Sequence, residues 1–255
     1  MTQALVPTTE SPKRGPLREL LVAAGATCIA LALPSALITN HSNDGWPLMV
    51  AMSMLAFASY PMSRASNLFA QLFARAIWWQ ALAFGLVLGL GHALGEINGS
   101  ISSAVPMYLL GGALTLGAAG KVGLDFESAY FVPNEFRRSL TASLVMAMAD
   151  TIALLFYAGI VLVDGSVRGS VLLDVAEFTG AALVMVVALV GLYRIKVWGL
   201  VLNIGANILI ATLAVTGVFD IPPVIAFGLA ATALAQLFLP IPLLVRAARS
   251  RRDAA

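Results

Sequence analysis

The sequence predicts an all-α fold, a polytopic integral membrane bundle of eight transmembrane helices with both termini in the cytoplasm. Three observations carry this prediction. The first is composition: 60% of the 255 residues are hydrophobic and 11% are charged, with a mean hydropathy of +0.90. Soluble domains hold about 45–50% apolar and about 25% charged residues. So few charges cannot cover a water-facing surface, which excludes a soluble globular domain, a disordered chain and a coiled coil. The second is the recurrence of apolar segments close to the ~20 residues needed to cross a bilayer. The third is the alternation of basic residues between the connections.

In order, residues 1–19 carry Pro7, Pro12 and Pro16 among Ser and Thr and read as a disordered cytoplasmic tail. The spans follow at about 20–38, 46–62, 76–94, 103–120, 139–163, 171–193, 197–219 and 222–245, forming one transmembrane domain over 20–245. The first is longer than a signal-peptide core of about 7–15 residues, and no A-x-A site closes it, so it reads as an uncleaved span. Its Cys28 is the single cysteine, which excludes a disulfide framework, and it reads as a small core residue. The second span is short and framed by Pro47 and Pro61; proline is tolerated at a helix start, where its missing N–H has no partner anyway.

Before the third span, 66–75 places Leu68, Phe69, Leu72 and Phe73 on one stripe, which predicts a short helix lying in the membrane interface. Trp78 and Trp79 then fit an interfacial aromatic belt. Glycines of the third span, including Gly85, Gly89, Gly91 and Gly95, and Gly111, Gly112, Gly117 and Gly120 of the fourth predict close packing of these two helices. Residues 246–255 form a basic cytoplasmic tail.

Charge placement tests the segmentation. Lys13, Arg14, Arg18, Arg64, Arg75, Lys121, Arg137, Arg138, Arg194, Lys196, Arg246, Arg249, Arg251 and Arg252 all fall on one side, with Arg168 alone on the other. Positive-inside placement makes the rich side cytoplasmic. Short loops and the lack of sorting signals suit a bacterial inner membrane.

Several chemistries are excluded. His41 and His92 are the only histidines, too few for multiple bis-His haem ligation, and no lysine lies within a span. HExxH, Walker A and G-x-S-x-G motifs are absent, so no motif supports an enzyme, and no cofactor or metal site is expected. Asp125, Glu127 and Glu135 sit beside Lys121, Arg137 and Arg138 and read as solvated rim charges. A net charge of +2 implies no nucleic-acid partner.

What remains is Asp150, the one acid near the middle of a span. An aspartate there costs roughly 2.5–3.5 kcal/mol on insertion scales, so it is expected to face the bundle interior. Ser143, Ala147, Asp150, Leu154 and Tyr157 share its heptad stripe. By a rise of 1.5 Å per residue, Asp150 lies ~16 Å from the cytoplasmic end, Asn207 ~15 Å and Gln236 ~14 Å. Asn203 sits one turn from Asn207 on the same face. Asp150, Asn203, Asn207, Gln236 and Tyr157 are therefore the candidate transport layer. Interhelical hydrogen bonds of this kind also serve as packing glue, averaging about 0.6 kcal/mol each.

The outer rim is acidic, with His92 and Glu96 four residues apart, and Asp174 and Glu177 three apart at the start of the sixth span. It reads either as a cation vestibule or as wet span-end charge. Two functions fit: a small ion or solute transporter, proton-coupled through Asp150, or a non-catalytic membrane subunit packing against partner membrane proteins. Expected partners are the lipid bilayer with a small cation or solute, or a membrane protein.

Overall fold

The computed structural model describes residues 16–37, 46–93, 134–164, 170–194, 196–217, 223–238 and 245. Every element among them is helical: α1 (Pro16–Leu37), α2 (Trp46–Ser63), α3 (Leu68–Ala93), α4 (Asn134–Asp164), α5 (Val171–Tyr193), α6 (Val197–Val215) and α7 (Pro223–Phe238). Predicted span 103–120 lies outside the described residues. Among these helices, Leu140–Leu162 of α4, all of α5 and all of α6 are long and apolar enough to cross a membrane.

Local chemistry sets several of the ends. Pro16 opens α1, where its missing N–H costs nothing, and Glu19 follows in the first turn. Asn67 caps α3: its Oδ1 accepts from the Phe69 backbone N–H at 2.8 Å. Ser170 does the same for α5, accepting from the Leu173 N–H at 3.4 Å. Between α5 and α6 the chain turns in three residues, and the Lys196 N–H reaches back to the Gly191 carbonyl at 2.9 Å. Gly217, just past α6, has φ +72°, a conformation that a Cβ would strain.

Neighbouring helices pack in chain order from α3 to α7, and α7 returns to α3 and α4, closing a ring of five. Helices α1 and α2 pack on each other and on α3. Of the three helices long enough to span, α4 is the most deeply embedded, with 78% of its membrane-length window buried, against 39% for α5 and 44% for α6. The outward faces of α5 and α6 carry Leu172, Leu183, Val187, Val201, Ile208 and Leu209, all exposed and all apolar. Outward faces this apolar are suited to a lipid surrounding.

Four expectations are corrected. Segment 66–75 is not a separate interfacial helix: Asn67 caps a single 26-residue helix that carries Leu68 through to Ala93 without a break. Arg75, counted with the cytoplasmic connections, lies within α3 and is buried. Trp78 is not a belt residue either; it is 5% exposed, and its indole N–H donates to Ser59 Oγ at 2.7 Å. Trp79, on the next position, is exposed. Glu19, counted with the tail, lies within α1, is buried, and accepts from Ser63 Oγ at 3.3 Å.

The expected packing of the third span on the fourth involves 103–120, outside the described residues. Gly85 faces α1, since a Cβ there would meet Ile29 Cδ1 at 3.1 Å. Among the described glycines the tightest approach is between α5 and α6. A Cβ on Gly191 would lie 2.5 Å from Gly199 Cα and 2.7 Å from the Trp198 ring.

Candidate functional site

The α3–α7 ring closes around a line of buried polar side chains. Asp150 projects from α4, Asn203 and Asn207 from successive turns of α6, and Gln236 from α7. Asn203, Asn207 and Gln236 are fully buried, and Asp150 retains 3% exposure. They can meet because α7 packs on both α6 and α4.

The line is directional. Gln236 Nε2 donates to Asp150 Oδ2. Gln236 Oε1 in turn accepts from Asn207 Nδ2 at 3.4 Å. The same Asn207 nitrogen donates to the Asn203 carbonyl at 2.8 Å and approaches Asn203 Oδ1 at 3.4 Å. Gln236 thus points its N–H toward the carboxyl group, and Asn207 points its own toward Gln236 and Asn203. An ionised Asp150 would be stabilised by that alignment, because a charge-assisted hydrogen bond is stronger than a neutral one. Among the described residues Asp150 makes no ion pair, so the amide line is its polar support.

Two positions in the line stay open. Asn203 Nδ2, a donor, and Asn207 Oδ1, an acceptor, are buried without a hydrogen-bond partner. Most buried polar atoms are paired, so such pairs of open valences call for a physical reason. Here a donor and an acceptor stand one helical turn apart, the complement of a small polar species.

Tyr157 is buried on the stripe of α4 that carries Asp150, but its hydroxyl also lacks a hydrogen-bond partner. Its ring lies in an aromatic cluster drawn from three helices: Phe84 of α3 at 6.0 Å, Phe156 at 6.1 Å and Phe178 of α5 at 5.8 Å between centroids. The cluster is set by packing rather than by hydrogen bonding.

Of the outer acids, Asp174 is buried and Glu177 half-buried in the first two turns of α5. His92 falls in the last turn of α3, but its side chain lies outside the described residues, as does Glu96 entirely. Among the described residues no group of three or more His, Cys, Asp or Glu side chains could hold a metal ion. A cavity of about 20 Å³ lies between α1, α2, α3 and α4, lined by Ala26, Ala56, Gln80, Phe84 and Ile152 among others. It has room for about one water molecule, and it does not reach Asp150.

Sequence reasoning missed a second polar set, where Ser59 and Ser63 of α2, Trp78 and Arg75 of α3 and Glu19 of α1 are all buried. The available signal was Ser59 and Ser63 four residues apart, hence on one face of an otherwise apolar, methionine-rich helix.

Comparison of the chain with protein-family models, with characterised proteins and with solved structures finds no match in any of the three.

Proposed function

We propose that this chain is a transport protein of a bacterial inner membrane, in which eight helices carry a proton or proton-coupled solute past Asp150. The observation that carries the reading is the buried line of Asp150, Gln236, Asn207 and Asn203 with one donor and one acceptor left open. Amides that served only as packing glue would be expected to close on each other. A line that ends in open valences has capacity for a water molecule, a hydronium ion or a polar cargo group. Ionisable side chains within a span mark ion and proton pathways by default, because their desolvation is costly. Asp150 would cycle between its ionised form, held by Gln236, and a neutral form that releases the aligned amides.

The second reading is a non-catalytic membrane subunit. It is favoured by the burial of Asp150 and by the exposed apolar faces of α5 and α6, which a partner helix could cover as readily as lipid.

Reconstitution into liposomes separates the two. Under an imposed membrane potential, the wild-type protein should acidify or alkalinise the lumen faster than protein-free vesicles. Asp150→Asn, which keeps the shape and a hydrogen bond to Gln236 but cannot ionise, should abolish that flux while leaving the thermal midpoint within a few degrees. Full flux in Asp150→Asn would rule out the transport role of this carboxyl group.

A further inference from the structure

We infer that Tyr157 and Asp174 form the other half of the same pathway, relaying protons between Asp150 and the end of the bundle where α4 gives way to α5. This rests on the transport reading above and extends it to two residues outside the amide line. Tyr157 lies seven residues beyond Asp150 on one stripe of α4, ~10 Å further along the axis. Its hydroxyl is buried without a hydrogen-bond partner, although a buried tyrosine hydroxyl ordinarily finds one. The ring is held between Phe84, Phe156 and Phe178, so the hydroxyl cannot swing out to solvent without breaking the cluster. Phe178, which stacks on it, is one helical turn from Asp174, and Asp174 is itself buried near the start of α5. Asp174, Tyr157 and Asp150 therefore descend in order from that end to the amide line.

In the relay, a proton on the Asp174 carboxyl group passes to the Tyr157 oxygen as the hydroxyl proton leaves for the Asp150 carboxylate, with water completing the line. The phenol ends as it began, Asp174 has lost one proton and Asp150 has gained one. The aromatic cluster keeps the passage too narrow for bulk water.

The test is proton flux into pyranine-loaded liposomes driven by a potassium–valinomycin potential, with thermal midpoints measured on the same preparations. Tyr157→Phe keeps the ring and should slow the flux at least tenfold, with a midpoint at or above wild type because an unpartnered hydroxyl is gone. Asp174→Asn should slow it comparably. Wild-type flux in Tyr157→Phe overturns the relay while leaving the Asp150 reading intact. A slow Tyr157→Phe with a clearly lowered midpoint also overturns it, since the loss would then be one of packing. Wild-type flux in Asp150→Asn overturns the reading beneath both, and a wild-type protein no leakier than empty vesicles overturns both together.

Discussion

Gln236 on α7 donates its side-chain amide to the carboxyl group of Asp150 on α4, tying together two helices through residues 86 positions apart in the chain. The bond also fixes which way the Gln236 amide faces, and through it the orientation of Asn207. Replacing Gln236 with leucine keeps the volume but strips Asp150 of its donor and Asn207 of an acceptor. Leaving a buried polar group unpaired costs about 1–3 kcal/mol, and more for a charged one. Gln236→Leu should therefore lower the thermal midpoint in detergent, and Asp150→Asn should recover part of the loss by removing the charge. A double variant no more stable than Gln236→Leu alone would mean that Asp150 does not depend on this amide.

Ser59 stands in a comparable position at the α2–α3 contact. Its hydroxyl donates to the Ala56 carbonyl while accepting the Trp78 indole N–H. Ser59→Ala should strand that N–H in the core at a cost of about 1–3 kcal/mol, with altered tryptophan emission as a second readout. Adding Trp78→Phe should cost less than the sum of the two single changes, because removing both partners leaves nothing unpaired. Strict additivity would deny the bond.

The helical glycines divide into two kinds. Gly199→Ala would drive a methyl group to 2.5 Å from Gly191 Cα, and overpacking of this sort costs about 1–3 kcal/mol. Gly205, two turns along the same helix, has open space where its Cβ would be. Gly205→Ala should leave stability unchanged or raise it by about 0.5–1 kcal/mol through helix propensity. Thermal midpoints of the two variants should move in opposite directions, or only that of Gly199→Ala should fall.

The topology is open to a direct test. In a Cys28→Ala background, Ser100→Cys and Ser166→Cys should react with a membrane-impermeant maleimide in intact cells. Ser250→Cys should react only after permeabilisation. Labelling of Ser250→Cys in intact cells would contradict a cytoplasmic C-terminus, and protection of Ser100→Cys would contradict the span at 103–120.

The helical class and the meeting of Asp150, Asn203, Asn207 and Gln236 were legible for one reason. Apolar length fixes how far each helix extends, and a fixed rise per residue then converts position into depth. Groups at one depth in a narrow bundle have few places to go. What depth does not supply is azimuth. The neighbour of Gly85 is Ile29 of α1, and Gly191 meets Gly199, because helix contacts depend on which faces turn toward each other. Trp78 went astray on the same account: adjacent tryptophans point about 100° apart on a helix, so one of the pair reaches solvent while the other finds Ser59. The burial of Arg75 did have a local signal that went unused: it stands seven residues past Leu68 and three past Leu72, on the edge of the same helical face.

The three-residue turn between α5 and α6, with glycine against glycine beside it, bears on how the protein is made. Arms joined so closely leave little chain to thread a second helix separately, so α5 and α6 suit insertion as one hairpin during synthesis. At that stage α7, with Gln236, has not yet emerged. Asn207 already has its shortest bond within α6, to the Asn203 carbonyl at 2.8 Å, so that amide nitrogen has a partner within the hairpin before α7 is made. Gln236 of α7 then completes the circuit to Asp150, so the polar line closes only once α7 has been made.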